Sequence, residues 1–325
     1  MSMTKPIGFL ALPVAILVLS GTLAAPTERD TFITLGTHGG PLPDAKRSEP
    51  ASALVVDRAV YLVDAGDGAA DQLAKAGLSL QALRAVFISH LHFDHTGGLF
   101  AVLGLRHQTG APGKLKIYGP PGTKETVDGL VAAIRPGAVS GYGVPGEEII
   151  PPEDTVEVIE IRDGAHLTLD GFTVTAAENS HYSFPAGSDM DKRFDSLSFR
   201  FDLPDRTIVY TGDTGPSDAV TALAKGADLL VSELIDPQVA ASMVAPTNGT
   251  DAEKKRFQVM KQHLSTHHLT PEQIGKMASE AKVGRVVITH LVASRRPDVA
   301  TDSYVAEIHK SYSGPVEIAD DLNRY

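Results

Sequence analysis

The segment that most constrains this chain is Val86-Phe87-Ile88-Ser89-His90-Leu91-His92-Phe93-Asp94-His95-Thr96-Gly97-Gly98. An apolar run with the character of a buried strand enters three histidines and an aspartate within six positions. The 325 residues contain no cysteine, so thiolate ligands, disulfides and a cysteine nucleophile are excluded. Any bound metal is then held by imidazole and carboxylate, a set that suits borderline-soft divalent ions. A tight turn after a strand can aim alternate side chains at two neighbouring ions. Four ligands on one loop cannot complete two coordination spheres, so the fold must bring further donors from other strand ends.

Such donors are present. His181 follows the apolar run 172–177 after Glu178-Asn179-Ser180, Asp213 follows 207–212, and His290 follows 286–289. Each sits just past a strand, where loops on a rigid sheet assemble sites. Other β-branched runs fall at 53–56, 59–63, 84–89, 114–118, 155–161, 196–203, 206–210, 228–232, 285–289 and 315–318. Several are continuous rather than alternating, as in strands covered on both faces. Helical patterns fall at 68–76, 124–134, 217–224, 270–282 and 298–309. The fourth opens on Thr270 as N-cap, with Pro271 in the first turn and Gln273 closing a capping box. Paired strands in both halves with helices outside predict a layered α/β sandwich, one domain over residues 26–325. Residues 136–154, rich in Gly, Pro and acid, read as an exposed loop. Residues 236–266 read as an insertion, helical over 253–263, either a lid or a surface excursion.

Residues 1–25 have the layout of a secretory signal peptide: Lys5, an uncharged stretch over 7–19, then Ala24-Ala25 ahead of Pro26. A membrane span needs about 20 apolar residues, and Pro13 interrupts this stretch, so no stable span is expected in the mature chain. Export to the periplasm or medium is expected. Lys plus Arg number 29 against 40 Asp plus Glu, a net charge of −11. A surface of that sign repels a phosphate backbone unless a local basic patch intervenes, and no run of Lys and Arg long enough for such a patch is present, so no nucleic-acid partner is expected.

Taken together the residues resemble the metallo-β-lactamase superfamily, in the branch that includes ribonuclease Z, arylsulfatases and cyclic-nucleotide phosphodiesterases. The likeness is carried by Leu35-Gly36-Thr37, Leu62-Val63-Asp64-Ala65-Gly66, the histidine segment, Tyr210-Thr211-Gly212-Asp213-Thr214, Asp228-Leu229-Leu230-Val231-Ser232-Glu233 and Ile288-Thr289-His290-Leu291. It implies an αββα sandwich of two mixed β-sheets flanked by helices, with a two-metal site on one sheet edge. It further implies that His90, His92 and His181 hold one divalent ion, that Asp94, His95 and His290 hold the other, and that Asp213 bridges them. Asp64 matches an aspartate that orients a ligand histidine from behind. Zinc is the expected ion, with Mn2+ or Fe2+ as alternatives. Glu233 and His268-Leu269-Thr270 match two further elements of the branch, so Asp94, His268 and Glu233 are the catalytic candidates. In that scheme a metal-bound hydroxide attacks and His268, oriented by Glu233, protonates the leaving group. His263-Leu264-Ser265 partly mimics the His268 element, whereas His38, His107, His166 and His309 read as structural or surface residues.

The departures from the family pattern shape the expected substrate. Ribonuclease Z has a basic flexible arm where 136–154 is acidic. Glyoxalase-type relatives have Gly-His-Thr where Ser180-His181-Tyr182 stands, lactam hydrolases generally lack the aspartate matched by Asp213, and diiron relatives have Glu at the place of His92. The expected function is an exported dinuclear metal-dependent hydrolase of a small-molecule phosphodiester or sulfate ester, and the resemblance allows a homodimer. The alternatives are a lactone or lactam hydrolase, or a non-catalytic metal-binding or partner-binding module.

Overall fold

The computed structural model describes residues 30–40, 42–246, 248–293 and 300–325. The signal-peptide reading of residues 1–25 lies outside them, as does the start of the helix expected over 298–309. In the first half the strands are β1 (Thr31–Gly36), β2 (Ala51–Val56), β3 (Ala59–Ala65), β4 (Leu83–Phe87), β5 (Leu115–Gly119) and β6 (Val156–Glu160). In the second they are β7 (His166–Leu169), β8 (Phe172–Glu178), β9 (Leu197–Asp202), β10 (Thr207–Tyr210), β11 (Leu229–Ile235), β12 (Val286–Val292), β13 (Val316–Ile318) and β14 (Asn323–Arg324). They build two seven-stranded mixed sheets, ordered β14-β1-β2-β3-β4-β5-β6 and β13-β12-β11-β10-β9-β8-β7. The first is parallel from β3 to β6 and the second from β10 to β13.

Parallel neighbours need crossover connections, and these place helices on the outer faces. Leu99–Gln108 and Thr123–Ser140 cover one sheet, and Asp218–Leu223, Pro271–Ala281 and Ala300–Ile308 the other. Both faces of the central strands are therefore apolar, which explains their continuous hydrophobic runs. Phe87, for example, packs between the sheets with Phe199 and Phe201, while its neighbour Val86 packs under the helices with Leu103 and Val127. The αββα sandwich expected from the sequence is the fold observed.

Three local expectations change. The helix expected to end at 134 runs over Thr123–Ser140, through Pro136. Proline removes the bond to the carbonyl four residues earlier, but Pro136 and Ala132 are both exposed, so that carbonyl is left to water, and buried Ala138 anchors the next turn. The acidic loop that follows is tied back, since Tyr142 Oη donates to the Gln108 carbonyl at 2.6 Å and His107 Nε2 lies 2.8 Å from the Ile150 carbonyl. The insertion forms two helices, Pro237–Val244 and Asp251–Thr266, packed on the sheet edge through Ile235, Ala240, Leu264 and Val292. Among the described residues no helix is long and apolar enough to cross a membrane.

Candidate metal centre

The histidine segment leaves β4 and turns into the short helix Phe93–Thr96, which begins immediately after His92. Behind it lies Asp64, fully buried at the end of β3 with φ 56°. Its carboxylate accepts from Ser89 N at 2.7 Å, Ser89 Oγ at 2.8 Å and Tyr210 Oη at 2.8 Å, and His95 Nδ1 lies 2.8 Å from it. A carboxylate can only accept here, so His95 keeps its proton on Nδ1 and turns Nε2 toward the centre. His181 is fixed in the same sense, its Nδ1 donating to the His267 carbonyl at 3.0 Å.

The second sheet supplies its donors through distorted backbone. Between β11 and β12 the register steps from Ser232 opposite Ile288 to Leu234 opposite Leu291, so β12 carries an extra residue. His290 sits in that bulge at φ 42°. Bulges re-aim side chains beside active sites, and a non-glycine left-handed residue persists only where its surroundings hold it. Gly212, at φ 58°, turns the chain before Asp213, and a Cβ there would lie 3.0 Å from both the Leu197 carbonyl and Ser89 Cβ. Gly40 comes so near that a Cβ would lie 2.3 Å from Asp94 Oδ2, to which its N–H donates at 3.2 Å.

These elements bring all the sequence-predicted residues to one place. His92 Nδ1 lies 3.0 Å from His90 Nε2 and 3.1 Å from His181 Nε2. A second group forms around Asp213: its Oδ1 lies 3.4 Å from His95 Nε2 and its Oδ2 3.2 Å from His290 Nε2. Asp94 Oδ2 lies 3.6 Å from His95 Nε2 and 3.5 Å from His290 Nε2. Asp213 also faces the first group, with Oδ2 at 4.0 Å from His90 Nε2. Beside both, His268 Nδ1 meets Glu233 Oε2 at 2.6 Å, and Glu233 Oε1 accepts from Thr214 N at 2.6 Å. His38, His107, His166 and His309 stay away from this cluster and bond to Leu42, Ile150, Thr175 and Tyr312 respectively.

The electrostatics of the groups differ. Burial and the neighbouring imidazoles push His90 well down; burial and His268 do the same to His181, against the pull of Asp213. Burial also works against charge on Asp213, but His290 and His95 outweigh it and hold the carboxyl well below its ordinary range. Burial lowers His290, yet Asp213 and Asp94 raise it further, to about 9. Burial and the Asp213 charge push Glu233 well up, and burial takes His268 down to about 4, so the 2.6 Å contact between them holds one proton in a neutral pair.

Among the described residues, His95 Nε2, Asp213 Oδ1 and both ring nitrogens of His290 are buried with no hydrogen-bond partner. Leaving buried polar atoms unmet costs about 1–3 kcal/mol each, and more for charged groups, and four of them converge here. The donor atoms of His90, His92 and His181 lie within 4.8 Å of one another, as do those of Asp94, His95, Asp213 and His290. An all-imidazole group beside an imidazole–carboxylate group is a donor set that divalent metal ions fit.

The groups form the floor of a cavity of about 880 Å³ walled by Phe93, Tyr182, Phe184, Arg256, Met260 and His263, among others. Sequence reasoning undervalued two of its polar residues. His263 places its ring 4.8 Å from that of His181 and 5.2 Å from that of His268. Glu49 has a buried Oε2 without a hydrogen-bond partner among the described residues, and burial together with Asp94 pushes its carboxyl up to about 7. The near-repeat of the His268 pattern was the one sequence sign of His263. Nothing in sequence pointed to Glu49.

Residues 60–291 match the family model described as the β-lactamase superfamily domain. The chain is 31% identical over 294 residues to a ribonuclease Z of Mycobacterium sp. (strain KMS), covering 90% of this chain and 94% of that one. The chain belongs to the metallo-β-lactamase superfamily. Among solved structures of that superfamily it is similar to the fold protein YhfI from Bacillus subtilis, with TM-score 0.66 and 22% identity over 91% of this chain and 98% of that one. It is also similar to the short form of human tRNase Z, with TM-score 0.59 and 22% identity over 91% of this chain and 98% of that one. The superfamily fold makes this a hydrolase and implies divalent metal ions, which the donor groups described above suit.

The relatives overturn one expectation. Nucleic acid was excluded on net charge and on the lack of a long Lys/Arg run, yet the matched relatives are named ribonuclease Z and tRNase Z. The physical reason is that binding is local and cations need not be contiguous in sequence to stand together on a helix. Helix Asp251–Thr266 carries Lys254, Lys255, Arg256 and Lys261, and Arg256 lines the cavity.

Proposed function

We propose that this chain is a two-metal phosphodiesterase in which His90, His92 and His181 hold one divalent ion, Asp94, His95 and His290 the other, and Asp213 is shared between them. The observation that carries the reading is the convergence of unpartnered buried atoms of His95, Asp213 and His290 beside a trio of imidazoles that lies within reach of the same aspartate. When bound, such a pair, zinc being the first choice and Mn2+ or Fe2+ the alternatives, supplies Lewis acidity and an activated water for in-line attack on phosphorus. The protein's own residues do the rest. Asp64 locks the ring of His95, and Asp94, steadied by Gly40 N, accepts the proton of the attacking water. Glu233 grips His268 Nδ1 and presents that ring to the cavity; as the ring gives its Nε2 proton to the leaving oxygen, the proton held in the pair passes to Nδ1 and leaves Glu233 ionised.

RNA is the first substrate in this reading, because the relatives that align along 90% of the chain carry that activity in their name. The apolar wall of Phe93, Tyr182, Phe184 and Val259 favours a second reading, a small aryl phosphodiester or sulfate ester. The test is a panel of precursor-tRNA-like RNA, bis(nitrophenyl) phosphate, nitrophenyl sulfate and a lactone, each with and without chelator. Chelator-sensitive cleavage of the diesters is expected. His268→Ala should slow alkoxide leaving groups about 100-fold while sparing nitrophenolate, the magnitude of a lost general acid. Equal losses on both leaving groups remove His268 from that role, and chelator-insensitive or absent turnover of every diester sinks the reading. Export through residues 1–25 is part of the same proposal; a cell-derived protein that still begins at Met1 refutes it.

A further inference from the structure

Helix Asp251–Thr266 is anchored at its start by a reciprocal capping box between Thr250 and Glu253. From there one face looks into the cavity, through Arg256, Met260, His263 and His267, at spacings of four, three and four. That spacing keeps side chains on one side of a helix. His263 and His267 end the row beside the metal ligand His181, whereas Arg256 begins it two turns earlier, about 10 Å away along the axis.

Two features of the cavity wall point to a ligand. Arg256 is the one lysine or arginine among the described residues that line the cavity, and it makes no ion pair among them. Its neighbour Lys254, by contrast, reaches Asp251 at 3.6 Å. Arginine unpaired at the mouth of a hydrolase cavity has its five donors free for an anion, and its planar fork matches phosphate. Also on the cavity wall, Phe93 is 80% exposed, the most exposed large apolar side chain among the described residues. A phenyl ring so placed is a surface on which a nucleobase can stack.

Resting on the phosphodiesterase reading, we propose that Arg256 binds a second phosphate of the substrate, the one flanking the scissile diester, while Phe93 stacks the nucleobase at the cleavage site. The substrate class is then an oligonucleotide rather than an isolated diester. A diester without a flanking phosphate leaves Arg256 idle.

Equilibrium binding to the metal-loaded protein tests this without turnover, using a nucleoside 3′,5′-bisphosphate and the matching 5′-monophosphate. The wild type should prefer the bisphosphate about tenfold, the scale of one charge-assisted contact. Arg256→Ala should abolish the preference, Arg256→Lys should restore part of it, and added salt should weaken it. Phe93→Leu should weaken both ligands alike. A bisphosphate preference that survives in Arg256→Ala overturns the subsite. The two readings fail separately: cleavage of diesters without any bisphosphate preference defeats the subsite alone, and an Arg256-dependent preference in a protein that cleaves no diester defeats the phosphodiesterase reading alone.

Discussion

The two halves of the centre are built on opposite electrostatic plans. The group of His90, His92 and His181 is all imidazole, and burial lowers each ring. The group of Asp94, His95, Asp213 and His290 mixes buried carboxylates with rings whose pKa they raise. In the first, neutral nitrogen lone pairs already converge, and an ion gains their coordination without displacing protons. In the second, the histidines balance the carboxylates by holding protons, and an ion takes over that charge. In the proposed centre one group is a preformed set of donors. The other is an ion-pair network that a metal would replace.

The sharpest way to break this contrast is to delete one imidazole from each side. In His181→Ala the first group loses a third of its donors, and elemental analysis should find one equivalent of metal against the two expected of the wild type. The metal-free variant should lose only about 1–3 kcal/mol, the cost of leaving the His267 carbonyl without its His181 donor, because no charge is stranded when a neutral ring is deleted. In His290→Ala, Asp213 loses its nearest counter-charge, at 3.2 Å. Breaking a buried pair costs about 3–5 kcal/mol, so the metal-free variant should be destabilised by that order, with metal restoring part of the loss. Denaturant unfolding with and without chelator reads both quantities. Equal destabilisation by the two substitutions would erase the distinction between the groups.

Much of the centre was legible in sequence because its donors stand at strand ends, and strands of continuous Val, Ile and Leu announce themselves. His181, Asp213 and His290 could be placed from the runs before them. The aim of a side chain was not legible. His290 reaches the centre through a bulge, and Asp64 through a left-handed residue, neither of which has a pattern in the chain. Helix Leu99–Gln108 escaped notice because its apolar residues lie on nearly every side, leaving no period to detect, and β14 is two residues long. The expectation about nucleic acid failed for a related reason. A sum over 325 residues hides four cations on one helix, and position relative to the cavity decides what they attract.

A finer contrast lies behind the ligands. His181 is held by a backbone carbonyl, whereas His95 is held by Asp64, itself gripped by Ser89 and by Tyr210 from the opposite sheet. The phenol is fully within the core and lies 2.8 Å from Asp64 Oδ2. Tyr210→Phe removes this one donor and no volume that matters to packing, so a stability loss of about 1–2 kcal/mol is expected, the worth of one hydrogen bond to a charged group. Because Asp64 keeps its bonds from Ser89, His95 should stay in place but be less firmly oriented. The second ion should then be lost first during graded chelation, with an affinity drop toward the low end of the roughly 10–100-fold seen for outer partners of metal ligands. The first group reaches Asp64 only through Ser89 Oγ, 3.1 Å from His90 Nδ1 among the described residues, and this link is kept in the variant, so its ion should leave at the wild-type chelator concentration. If both ions leave together and earlier than in the wild type, the carboxylate of Asp64 is supporting the whole sheet edge rather than one histidine, and the separation of the two halves is weaker than their ligand sets suggest.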